Sequence, residues 1–71
     1  MANVKLTFYG SEKSEFTKDT ELECFLNTKN EITISIDDGH LGYPNIISLD
    51  KSTAIKLAKT IRTNINLIKE N

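Results

Sequence analysis

The sequence has one cysteine, one proline, one histidine, three glycines and no tryptophan. Each scarcity removes a class of chemistry. Cys24 has no second thiol to pair with, so neither an internal disulfide nor a multi-cysteine metal site is available, and a reducing, cytoplasmic setting is expected. A lone His40 falls short of a catalytic zinc centre, which draws on three protein ligands and usually more than one imidazole. The glycines form no phosphate-cradling loop and flank no serine in a nucleophile elbow. No long uninterrupted apolar run occurs, and the start "MANVKLTFYG" lacks a basic region followed by an apolar one. Neither a membrane span nor a signal peptide is therefore expected.

An excess of one charge is missing too. Nine basic residues face ten acidic ones, a net charge of -1, which carries no global signature of nucleic-acid binding. The distribution is uneven, however. Residues 1–50 hold four lysines against nine acids, a net of -5, while residues 51–71 hold Lys51, Lys56, Lys59, Arg62 and Lys69 against Glu70, a net of +4. The 71 residues suffice for a single domain, 1–71. A domain of this size buries only about 60% of its unfolded surface and has little room for an enclosing pocket of about 300 Å³ or more. On those grounds the chain is expected not to be an enzyme, and no cofactor is expected.

What is present is alternation. Val4, Leu6 and Phe8 alternate with Lys5, Thr7 and Tyr9, the period-two pattern of a half-buried strand. Leu22, Cys24 and Leu26 alternate with Glu21, Glu23 and Phe25, and Ile32, Ile34 and Ile36 with Thr33, Ser35 and Asp37. Ile47 and Leu49 alternate with Ile46 and Ser48. Strands are expected at about 3–9, 20–27, 31–37 and 41–49, with a mobile loop over 10–19 in which Phe16 is the apolar anchor. Asp50 stands where a helix N-cap belongs, and from 51 to about 69 the period becomes helical. Ala54, Leu57, Ala58, Ile61, Ile65 and Ile68 fall within an arc of about 100°.

These elements predict an α+β fold, a four-stranded antiparallel meander (ββββα) with the C-terminal amphipathic helix packed on one sheet face. Cys24 takes the inward register between Leu22 and Leu26, where a thiol packs as a small apolar group. The neighbouring Glu21 and Glu23 disfavour a reactive thiolate there. The opposite sheet face carries Thr7, Tyr9, Glu21, Glu23, Phe25, Thr33, Ser35, Ile46 and Ser48. On it, Phe25, Ile46, Tyr9 and Tyr43 are candidates for an apolar association patch, and a homodimer through that face or an edge strand is expected.

The densest chemistry lies in "DDGHLGYP", residues 37–44. As a site, Asp37, Asp38 and His40 offer an oriented imidazole or metal ligands. As structure, Asp38-Gly39 is a preferred two-residue hairpin turn. That turn places Asp37 opposite His40, Ile36 opposite Leu41 and Ile34 opposite Tyr43, with Tyr43 facing the core. The tight turn is the favoured reading, and an exposed Tyr43 marks the alternative.

The expected role is a small non-catalytic protein-binding module acting by occupying a partner surface, as a phage or mobile-element inhibitor or accessory protein does. Candidate contacts are Tyr9, Phe25, Asp37, Asp38, His40, Tyr43 and Ile46, with acidic groups steering toward a basic partner. An alternative is nucleic-acid binding through Lys56, Lys59 and Arg62 on the helix. A second alternative is a small-ligand site near His40 and Tyr43 at a dimer interface.

Overall fold

The computed structural model describes residues 4–39 and 42–69. One antiparallel sheet runs in the order β1 (Leu6–Tyr9), β2 (Glu21–Leu26), β3 (Ile32–Asp37), β4 (Asn45–Leu49), and the helix α1 (Lys51–Ile65) follows. The four-stranded meander with a C-terminal helix is thus the architecture.

Register sorts the side chains cleanly. Leu6 pairs with Cys24 and Phe8 with Leu22; Cys24 pairs with Ile34, Ile34 with Ile47 and Ile32 with Leu49. Because directly paired residues share a face, one sheet surface is almost wholly apolar. The other face holds the mixed set anticipated from alternation, from Thr7 and Tyr9 through to Ile46 and Ser48. The β2–β3 connection is a short hairpin in which Asn30 takes a left-handed φ of 64°, the geometry of a three-residue loop closed by a bulge. Asn27 organises it. Its Oδ1 accepts from the Lys29 and Glu31 amides at 2.9 Å each, and its Nδ2 donates to Thr33 Oγ1 at 3.0 Å. Thr33, 5% exposed, also shares a hydrogen bond with Ser48 at 3.3 Å, so its burial is satisfied.

Asp50 caps α1. Its backbone is extended, and its Oδ1 accepts from the Thr53 N–H at 2.8 Å. The helix closes at Ile65, short of the expected 69. Asn64 turns its amide onto the Thr60 carbonyl at 2.9 Å, and Leu67 and Ile68 donate in three-residue turns to Asn64 and Ile65. Asparagines at 64 and 66 offer these local alternatives to helix continuation.

The expected turn is corrected. The Asp38-Gly39 tight turn does not form: Ile36 lies opposite Asn45, not Leu41, and Ile34 opposite Ile47, not Tyr43. β4 accordingly starts at Asn45, and the described residues before it, 38–39 and 42–44, lie outside the ladder. The tight register would set Asn45 against Ile32 and bring Pro44, which has no amide donor, into the ladder. The observed one sets Leu49 there and leaves the proline outside.

α1 lies on the expected sheet face, but loosely. α1 faces the apolar sheet surface, but across an open cleft of about 690 Å³ lined by Phe8, Leu22, Cys24, Ile32, Ile34 and Leu49 below and by Ala54, Leu57, Ala58 and Ile61 above. No residue of α1 is buried. Leu49 is the single buried apolar side chain among the described residues. The radius of gyration, 13.9 Å, exceeds the roughly 11 Å expected of a compact chain of this length.

Candidate functional site

Antiparallel order brings the end of β1, the start of β2, the end of β3 and the start of β4 to one end of the sheet. Tyr9, Glu21 and Asp37 form a row across three strands there. The two long connections, 10–20 and 38–44, emerge from the same end. Carboxylates therefore collect: Glu12, Glu15, Asp19, Glu21, Asp37 and Asp38, against Lys13 and Lys18.

Glu21 and Asp37 are directly paired on one face, where Cβ atoms are about 4.5–5.5 Å apart and like charges destabilise the pairing. Among the described residues neither carboxylate forms an ion pair. Lys18 meets Glu15 at 3.6 Å, an exposed contact of a kind that contributes little. The end of the sheet thus projects negative charge outward.

Connection 10–20 is a succession of hydrogen-bonded turns. Gly10 N–H donates to the Thr20 carbonyl at 2.8 Å and closes its base, while the Ser14 carbonyl accepts from Thr17 and Lys18. Gly10 sits so close to the opposite side of the loop that an added Cβ would lie 1.8 Å from the Thr17 carbonyl oxygen. Phe16, expected as an anchor, is instead 94% exposed. The loop folds onto its own backbone and offers that ring no apolar surface. Sequence reasoning missed Phe16 as a presented residue, although a lone aromatic in a run of serine and charge was the available signal.

In connection 38–44, Asp37 Oδ1 accepts from the Gly39 N–H at 2.8 Å, an Asx turn that redirects the chain. Gly39 and Gly42 both have positive φ, 79° and 77°. Tyr43 is 67% exposed, and Tyr9, at the end of β1, 72%. Tyr43 therefore takes the outward position that distinguishes an open loop from a hairpin. His40, with Leu41, lies outside the described residues. Asp38 is half-buried.

The remaining candidates are placed elsewhere. Phe25 is half-buried in the row of Thr33 and Ser48, under the Lys5 ammonium, which stands 5.9 Å from its ring centroid and pairs with Glu23. Ile46 is exposed but sits opposite Ser35. Thr7, Glu23 and Ser35 intervene between these two and Tyr9, so a continuous apolar patch joining Phe25, Ile46 and Tyr9 is not formed. Lys56, Lys59 and Arg62 are exposed on α1, with Arg62 in its last turn, where a cation complements the helix dipole.

Among the described residues no group of three or more histidine, cysteine, aspartate or glutamate side chains is arranged to hold a metal ion, and no helix is long and apolar enough to cross a membrane. Comparison with protein-family models, with curated proteins and with solved structures returns no match to this chain.

Proposed function

We propose that the chain is a non-catalytic protein-binding module that occupies a basic surface of a partner protein through the acidic end of its sheet. The observation that carries this reading is that three exposed aromatics belong to one end of the sheet: Tyr9 in the row of the paired carboxylates Glu21 and Asp37, and Phe16 and Tyr43 in the two connections that emerge there. Aromatic side chains supply large contact area at low entropic cost and dominate interface energetics. The like-charge pair weakens the free chain and is relieved when a cation approaches, so part of the electrostatic gain appears only on binding. Occupying a surface in this way serves an inhibitory or accessory role.

The test is affinity capture with the wild-type chain and a Tyr9→Ser, Phe16→Ser, Tyr43→Ser variant, at about 50 and 300 mM salt, a range over which steering between exposed charges is progressively screened. The expected result is retention of a defined basic protein by the wild type, weakened at the higher salt and lost in the variant. Equal retention by both chains refutes the reading. So does capture of nucleic acid abolished by neutralising Lys56, Lys59 and Arg62, which would place the function on the helix.

A further inference from the structure

The cleft between sheet and helix is lined by apolar side chains alone, and it lies on the face opposite Tyr9 and Glu21. Phe8 and Ile61, on its two walls, are 50% and 51% exposed. A folded monomer of 8.0 kDa is expected to expose about 4,500 Å². This chain exposes 6552 Å², an excess of roughly 2,000 Å² over that scaling. A standard stable interface removes about 800 Å² from each partner, and large obligate homodimers remove about 1,000–2,500 Å². The excess falls within the second range.

The chain's own helix is poorly placed to close the gap. A single residue, Asp50, joins β4 to α1, which leaves little slack for the helix to shift against the sheet. The uncovered surface is also self-complementary. Each chain supplies an apolar helical stripe and an apolar sheet face, so one two-fold operation covers both at once.

We propose that the cleft is closed by a second copy, in a two-fold dimer in which the open mouths of the two clefts meet and the half-exposed Phe8 and Ile61 of each chain pack against the apolar cleft walls of the other. The mixed sheet face remains outside this interface. The dimer is therefore independent of the partner-binding reading.

Sedimentation equilibrium from about 1 to 100 µM tests the assembly. The expected mass is that of two chains, and a mass of one chain throughout overturns it. Two variants locate the interface. Ile61→Lys replaces a side chain half-exposed within one chain, so in a monomer it is nearly neutral. In the dimer it is expected to halve the mass or abolish folding, and an unchanged dimer of unchanged stability overturns the assignment. Ile46→Lys, on the mixed face, is expected to leave the mass at two chains; dissociation would move the interface to that face. Mixed samples of ¹³C-labelled and unlabelled chains should show intermolecular NOEs between the methyl groups of Leu57 or Ile61 and the ring of Phe8. Their absence in a confirmed dimer refutes this packing.

Discussion

Asp50 ends the sheet and begins the helix, and its side chain does the work of a cap. Hydrogen bonds from Thr53, first through the backbone amide, and from Ser52 hold its carboxyl below the usual aspartate range. The folded-state pKa is thus depressed relative to the unfolded one. The corresponding stability is present above the unfolded value of about 3.9 and is lost as pH falls through the lower folded value. Asp50→Asn keeps an acceptor at the cap but removes this titration. The drop in thermal midpoint between about pH 5 and pH 2, followed by circular dichroism, should be smaller in Asp50→Asn than in the wild type. Equal drops would show that the cap carries no pH dependence.

Gly10 and Asn27 are singled out by geometry of other kinds. Gly10→Ala forces the Thr17 carbonyl away from a Cβ that would lie 1.8 Å from it and strains the Gly10–Thr20 closure. A loss of about 1–3 kcal/mol is expected in urea denaturation, and an unchanged midpoint would mean the loop yields freely. Asn27→Ala removes two acceptor and two donor bonds while Thr33 keeps Ser48. The expected cost is again about 1–3 kcal/mol, and Asn27→Asp should recover part of it through the amides of Lys29 and Glu31.

At the scale of elements, period-two alternation located all four strands because one sheet face is apolar and the other is not, as Leu22 and Ile34 against Glu23 and Ser35 illustrate. Asp50 announced the helix. The β3–β4 connection was misread for a definite reason. Asp-Gly satisfies a type I′ turn, but a positive φ at Gly39 satisfies an open loop equally well, and local chemistry does not separate the two. The decision lay in pairings several residues away, where Leu49 replaces Asn45 opposite Ile32 and Pro44 leaves the ladder. Tyr43 changed sides with that decision, and with it the candidate site. Phe16 was misread for a related reason. A lone aromatic is read as an anchor on the assumption that a core lies within reach, and Gly10–Thr20 closure turns the loop away from one.

At the scale of the molecule, helix and sheet were expected to cover each other because one chain offers nothing else. The one-residue junction at Asp50 was legible in the sequence; the open cleft between helix and sheet was not. Relative to an unfolded surface of about 11,600 Å², the 6552 Å² still exposed means that roughly 44% is buried, against about 60% for an independently stable small domain. If a second copy supplies the difference, folding and association are one event, and stability depends on protein concentration. For unfolding of a dimer to two chains, a tenfold rise in concentration adds about 1.4 kcal/mol through mass action. With an unfolding entropy near 2.1 cal/mol/K per residue, roughly 300 cal/mol/K for the pair, the thermal midpoint should climb about 4–5 °C per tenfold increase. Calorimetry at two concentrations a hundredfold apart reads this directly, with a difference of about 9 °C expected on the same entropy. A midpoint that does not move, together with a monomeric mass, would mean that the chain folds alone with its cleft open.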